Sequence, residues 1–551
     1  MPPVLLLLPV ALLSTGGLLA GISGRRMPRL ARGVAALAVW SALLVLLVLW
    51  VPTRSPLDVD LGELGAGLRL GIRLDALSFA FTLLILVPGG LLLTFATVLA
   101  PARGVLVVAA GLLAVQSSGL VLATLAIALT VGAVGLLVQG SEGGLQGGSR
   151  LRGEAAVLSL LWAATSLYAI AGTDQYSSIP VATLRAPVFA LVVAGSVLLS
   201  GLVPWRPWPV RFLERFQAGP ATLSAAVVFP IGFDLLLRMY QAGGGHYPSR
   251  WFNLGMGAFG ALVAVAAALR GQAAATRREY LAESLPMAGG FALLSLSLGT
   301  PLGVAAAVSI LAAAALLVPL PALLPATAGQ GLTALVVAAA AGIPPTLVFA
   351  TRLLGIEAAV TANEVFAYAG VGAAIAWLLG LAGAARSLRL APGGAGDGSR
   401  AGLLITVLLL AVGGVLVGYL QVGVANPAAA TVMDFASTVL GGGLLATDTA
   451  AGNWPAVALG LLVLVGLGLA AGFGRESLGT GLPAEARGAI EPIVVPSWRR
   501  WPDLFGAVVD SFEVPDEYRF TGWQSIDGAM ARASVWFWVA SFAVLAVTLL
   551  R

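Results

Sequence analysis

The amino-acid sequence predicts an all-α polytopic membrane protein of about 16 transmembrane helices. Three observations predict it. Of the 551 residues, 59% are hydrophobic and only 10% are charged, where a soluble chain carries roughly a quarter charged residues. Apolar runs of about twenty residues, enough to cross a bilayer, recur along the chain. Arginines gather in alternate loops, the bias that orients membrane helices.

The apolar runs fall near 3–21, 30–52, 75–98, 104–117, 119–138, 153–171, 187–204, 220–241, 251–269, 284–299, 302–324, 332–354, 364–385, 402–424, 454–473 and 533–550. The first lacks a basic stretch ahead of it, so it reads as a retained helix and not a signal peptide. With the N-terminus outside, inward loops hold Arg25, Arg26, Arg29, Arg103, Arg150, Arg152, Arg206, Arg211, Arg215, Arg270, Arg277, Arg278, Arg386, Arg389 and Arg400. Outward loops hold only Arg54, Arg69, Arg73, Arg185 and Arg250. Both termini are therefore expected outside.

Three stretches read as lying off the membrane core. Residues 53–74 alternate apolar and polar around glycines, which suggests an outer β-hairpin. Residues 424–453 read as a Gly/Ala/Thr-rich outer loop. Residues 474–532 form an inner segment of Trp, Arg and Pro suited to the headgroup layer, and Pro483, Pro492, Pro496, Pro502 and Pro515 forbid one continuous helix there.

The residue inventory excludes several chemistries. There is no cysteine, which removes thiolate-ligated iron–sulfur clusters, thiol catalysis and disulfides. His246 is the single histidine, so imidazole-ligated haem or zinc is not expected. The net charge of +5 is too small and too scattered for nucleic-acid binding. All 30 basic residues are arginine. GC-rich coding favours arginine without any functional cause, but the chemical consequence stands: arginine keeps its proton, where a buried lysine can release one. No nucleotide loop, metal cluster or catalytic dyad is visible, and no cofactor is expected.

Residues 187–241 organise the rest. An apolar segment ends at Pro204, a short Arg/Trp loop follows, and a second segment opens at Gly219 and Pro220. Gly342, Pro344 and Pro345 interrupt another segment about 140 residues after Gly201 and Pro204. Matched Gly/Pro breaks in two halves are a sign of structural repeats, and broken helices are where transporters place ion sites.

Four motifs in order resemble the antiporter-like membrane subunits of respiratory complex I, Mrp-type cation/proton antiporters and membrane-bound hydrogenases. They are Asp75 followed by Ala76, Leu77 and Ser78; Gly219, Pro220 and Ser224 followed by Gly232 and Leu235 to Arg238; Gly289 with the run from Leu298 through Gly303; and Gly342, Pro344 and Pro345 followed by Phe349 and Arg352. They cover most of residues 60–390, and the layout is similar to the large distal complex I subunit. The resemblance implies two inverted five-helix repeats with broken helices, at 104–241 and 251–390. Around them lie N-terminal helices over 1–103, C-terminal helices over 402–473, the inner segment 474–532 and a last helix at 533–551. It also implies proton or cation translocation driven by partner subunits, in a prokaryotic cytoplasmic membrane.

The family's working parts are a fifth-helix glutamate and lysines in later helices. Here the aligned positions are Ala128, Leu199, Pro230, Ile310, Ala314 and Val318. One family lysine is replaced by Arg352, and another, at a loop, by Arg277. The charges left for a residual ion path are Asp234, Arg238, Arg352, Glu154 and Glu364. Asp234 and Arg238 are four apart on one helix face and expected to pair, snorkelling toward the interface. Arg352, with Glu357 and Glu364 beyond it, can hold a partner or an anion. Glu154 reads as a helix cap. Asp75, Pro204, Pro220, Pro344 and Pro345 read as fold determinants, and Gln116, Ser117 and Ser118 as polar helix glue.

Two functions follow as expectations. One is a non-catalytic structural or anchoring subunit of a complex I-like assembly (NADH:quinone or hydrogenase type) with impaired proton conduction. The other is an active proton, cation or inorganic-carbon transport subunit using the residual carboxylates. The expected partners are other membrane subunits, a soluble redox or zinc partner subunit, and the lipid bilayer, with no nucleic acid.

Overall fold

The computed structural model describes residues 3–433 apart from residues 25, 64–68, 99, 139–146, 182–183, 203–207, 216–217, 363 and 391–397. The expected helices at 454–473 and 533–550 and the inner segment 474–532 lie outside the described residues, as does Pro204.

The chain opens with α1 (Leu8–Gly24) and α2 (Pro28–Trp50), then the strands β1 (Leu57–Glu63) and β2 (Arg69–Leu74), then α3 (Ala76–Phe95). A first group follows: α4 (Pro101–Val115), α5 (Leu120–Val138), α6 (Gly147–Ala171), α7 (Ala186–Leu199), α8 (Trp208–Arg215) and α9 (Ala218–Ala242). A second group comprises α10 (Arg250–Ala273), α11 (Arg277–Ser297), α12 (Pro301–Leu317), α13 (Leu320–Leu323), α14 (Gln330–Ala341), α15 (Leu347–Ala362) and α16 (Glu364–Ser387). The described residues end with α17 (Arg400–Val415), α18 (Val417–Leu420), a π turn and α19 (Asn426–Met433).

This is an all-α polytopic membrane protein. Among the described residues nine helices are long and apolar enough to span a bilayer, or ten if the bent pair that begins at Arg400 is counted as one span. The breaks anticipated from glycine and proline are present, but their causes differ. α7 stops at Leu199, and Gly201 then takes a left-handed φ of 64°, a conformation that suits glycine. The stop therefore comes ahead of Pro204. In the second group Gly342 ends α14 at φ 78°, and Pro344 and Pro345 separate it from α15. Pro88, Pro230 and Pro286 lie inside continuous helices.

Burial ranks the helices. The apolar window of α9 is 100% buried and that of α3 89%, against 28% for α1 and 39% for α10 and α16. α9 is thus the axle of the described fold, packed against α3, α4, α5 and α7. The organising role read into 187–241 resides mainly in its second half.

Two other expectations need correction. The helix anticipated near 284–299 begins at Arg277, because Thr276 caps it and its interior acid, Glu283, is neutralised by Arg270. The supposed outer loop from 424 begins with a helix. α18 to α19 turn 85° away from α17, and α19 buries Asn426, Ala428, Ala429 and Val432 against α3, α9 and α12.

The expected hairpin is present, with β1 and β2 antiparallel from Leu57↔Leu74 to Glu63↔Arg69. β2 continues into the α4–α5 junction, where the Arg73 N–H donates to the Gln116 carbonyl and the Ser118 N–H to the Gly71 carbonyl. The next layer is joined by Tyr176 N–H donating to the Ser118 carbonyl and by the Ser118 hydroxyl donating to Gln175. Ser117 and Ser118 therefore act as connectors to the strand layer, while the Gln116 side chain, 3.5 Å from the Thr82 hydroxyl, does link α4 to α3 as expected of helix glue. This layer holds Asp75 over the end of α9.

Candidate functional site

Asp75 is the N-cap of α3. Its carboxylate accepts from the Ser78 N–H at 2.9 Å, while the Ser78 hydroxyl accepts from the Asp75 N–H at 2.9 Å, a reciprocal cap that fixes the side chain. From α9, Arg238 donates Nη1 to Asp75 Oδ2 at 2.7 Å and Nη2 to Asp75 Oδ1 at 2.8 Å. Both side chains are buried. Nη1 also donates to Gln241 at 3.0 Å, and Arg73 Nε lies 3.2 Å from Asp75 Oδ2. A planar fork meeting a planar carboxylate is the strongest form of such a pair.

The Asp234–Arg238 pairing read from the sequence is present as an ion pair, but it is secondary to Asp75 and it does not snorkel. Asp234 lies 3.9 Å from Arg238 Nε and makes no hydrogen bond to it. Neither residue snorkels to an interface, since each is 2% exposed. Arg238 takes Asp75 because the capped carboxylate is already held at the right angle, whereas Asp234, one turn back on the same helix, reaches only the edge of the guanidinium.

The segment before α7 closes the site. Tyr176 lies under Arg238, its ring centroid 6.0 Å from Cζ, and its hydroxyl is buried without a hydrogen-bond partner. Burial first, then the nearby acids Asp234 and Asp174, hold the Tyr176 phenol well above its ordinary range against the pull of Arg238. It remains an O–H. Asp174 is fully buried and accepts from the Val121 N–H at the start of α5 at 3.2 Å. Burial pushes its carboxyl up, while that N–H and Gln175 oppose the shift.

A second centre surrounds Arg352 on α15. Nη1 donates to the Ala341 carbonyl at 2.7 Å and Nη2 lies 3.5 Å from the Ala340 carbonyl, at the open end of α14. Trp377 Nε1 donates to the same Ala341 carbonyl at 3.0 Å. The guanidinium carbon is 5.7 Å from the Phe291 ring and 6.0 Å from that of Trp377. A cation on carbonyls orphaned by a helix break suits the negative end of the helix dipole. Beside it is a cavity of about 10 Å³, lined by Tyr280, Glu283, Ser284, Met287 and Arg352 among others, room for about one water. Glu283 is held by Arg270, with Nε and Nη2 donating at 2.8 and 2.9 Å.

The structure thus brings Asp75, Arg238 and Asp234 together and places Arg352 in a separate centre. Glu154 lies about two turns into α6, which begins at Gly147, so it is not the cap expected of it. Glu364 is the first residue of α16. Pro220 lies in the first turn of α9. Arg277 donates to the Ser387 and Leu388 carbonyls at the end of α16. His246 is exposed, its Nδ1 2.9 Å from the Gly244 carbonyl. Sequence reasoning missed Asp174, Tyr176 and the Glu283–Arg270 pair. Glu283 had a signal, an acid one residue ahead of the apolar run at 284–299, but residues 174–176 look like any polar loop.

No family profile and no curated protein matches the sequence. Solved structures do. A chain of the Mrp complex from Dietzia sp. DQ12-45-1b superposes with a TM-score of 0.70 at 20% identity, over 97% of this chain and 63% of that one. This chain has an antiporter-like membrane-subunit fold. It spans about 63% of the length of that Mrp-complex chain. Respiratory complex I from Thermus thermophilus with bound NADH contains a chain similar at TM-score 0.62 and 20% identity, over 80% of this chain and 100% of that one. The archaeal membrane-bound sulfane sulfur reductase contains another, at 0.61 and 19%, over 75% and 74%. These likenesses bear out the resemblance read from the four motifs.

Proposed function

We propose that this chain is an anchoring membrane subunit of a multi-subunit membrane complex, with the antiporter-like fold kept and the proton path across it closed. One observation supports the reading: the positions that the motif resemblance would align with the family's relay residues are apolar and packed among apolar neighbours. Leu199, Pro230, Ile310, Ala314 and Val318 are buried, and Ala128 is half-buried among apolar neighbours. The arginines that remain are clamps, Arg238 on Asp75 and Arg352 on the end of α14. A guanidinium keeps its proton and cannot relay one. Companion membrane subunits, and a soluble redox or zinc partner subunit, would supply any chemistry. The arginine bias of the loops supports an orientation with both termini outside, and the family resemblance is what points to a prokaryotic cytoplasmic membrane.

The cavity between Arg352 and Glu283 favours a second reading, proton or cation movement through residual carboxylates. Reconstituting the intact complex in vesicles with a pH-sensitive dye separates the two. Asp234→Asn, Glu154→Gln and Glu364→Gln are expected to leave flux per assembled complex unchanged. A loss of flux of tenfold or so with assembly intact would establish the second reading in place of the first.

A further inference from the structure

Arg352 is a buried cation without a counter-ion. Its Nη groups lie on the Ala341 and Ala340 carbonyls, and its Nε is buried with no hydrogen-bond partner. Among the described residues no acidic side chain forms a salt bridge with it. Glu283 lines the cavity beside it but is committed to Arg270 through two hydrogen bonds. The helix end that Arg352 closes supplies about half a negative charge, and the Phe291 and Trp377 rings a smaller share. Much of the positive charge is left unbalanced among apolar helices, which is costly.

The surroundings have the same sign. Tyr280 and Glu283 lie one to two turns into α11, and Gly380 two turns before the end of α16. The cavity is therefore about 5–10 Å inside the end of the bundle where α10 and α16 finish and α11 begins. That end carries Arg270, Arg277, Arg278, Arg386 and Arg389 against Glu279 and Glu283. Glu279 accepts from the Ala275 N–H. α14 brings no charge. Glu357, five residues beyond Arg352 on α15, does not line the cavity, and Glu364 stands at the other end of α16. A cleft lined by one sign of charge concentrates ions of the other.

We propose that the cavity beside Arg352 is a binding site for one small monovalent anion of the halide class, held by Arg352 Nε. The cavity of about 10 Å³ admits about one water-sized particle. A single-atom anion fits there, whereas sulfate, phosphate and bicarbonate do not. Water fits as well, but it brings no charge to a cation that is fixed. The inference stands apart from the closed-path reading, because occupancy is read on the resting complex and flux across vesicles.

The test uses the full-length chain within its purified complex, with bromide and chloride as probes. Crystals grown in bromide should show an anomalous peak beside Arg352 Nε. Melting should rise in sodium chloride over sodium gluconate at equal ionic strength. Gly271→Ala leaves Arg352 in place and sets a methyl 3.5 Å from the Tyr280 ring and 3.8 Å from Glu283 Cβ, ordinary contacts in the cavity wall. Relieved of a helical glycine, it should assemble and melt at or above the wild type in gluconate, yet lose both the peak and the chloride rise. Arg352→Gln should lose them too. A cavity without anomalous signal, or equal melting in the two salts, would leave the site to water and overturn the proposal. So would a chloride rise that survives in either variant, which would place the anion elsewhere.

Discussion

Arg238 and Asp75 stand 163 residues apart and are joined by hydrogen bonds of 2.7 and 2.8 Å out of reach of solvent. Removing one partner of a buried pair strands the other, at a cost of about 3–5 kcal/mol. Asp75→Asn and Arg238→Gln should each lower thermal stability in detergent by that order. The double variant should cost much less than the sum, and an additive double-mutant cycle would refute the pairing. Asp174 has the opposite sign. Because burial raises its folded pKa, the folded state holds the proton more tightly than the unfolded one. Stability therefore falls as pH rises from the ordinary aspartate range near about 3.9 through the folded value. Asp174→Asn keeps an acceptor for the Val121 N–H and should flatten that acid-side slope in melting curves recorded across pH.

Helices meet here by backbone contact as much as by side chains. A Cβ on Gly290 of α11 would lie 2.6 Å from the Gly260 carbonyl oxygen and the Ala264 nitrogen of α10, the close approach that small residues permit in membranes. Gly290→Val should therefore push α10 away and cost about 1–3 kcal/mol, read as a lower melting temperature than that of a Gly33→Val control, where a Cβ meets open space. The broken α14–α15 element rests on different chemistry. Arg352→Lys offers a single ammonium where a fork spans two carbonyls, so it should loosen the break and raise amide exchange near Gly342. Most helix positions were legible in the sequence, because apolar length and glycine or proline breaks are local. The start of α11 and the existence of α19 were not, because Glu283 of α11 is satisfied by Arg270 on another helix and α19 is held by packing against α3, α9 and α12.

Across the described molecule, the hairpin layer links β2, the α4–α5 junction and residues 174–176 above the end of α9. Replacing residues 57–72 with a short Gly/Ser linker should expose the amides of Ser118, Leu120 and Tyr176 to exchange while leaving those of α10 and α11 protected. Uniform loss of protection would mean that the layer carries the whole fold. Residue chemistry alone determined that the chain belongs in a bilayer, what its overall class is, and that its interior cations are arginines, because these properties depend on nearby residues and on composition. Only the tertiary structure decided that Arg238 gives its hydrogen bonds to Asp75 and only a 3.9 Å ion pair to Asp234, that Arg352 closes a helix end, and that Tyr176 faces the pair. Those choices depend on which distant backbones come within about 3 Å hydrogen-bond reach, and helix packing sets that distance.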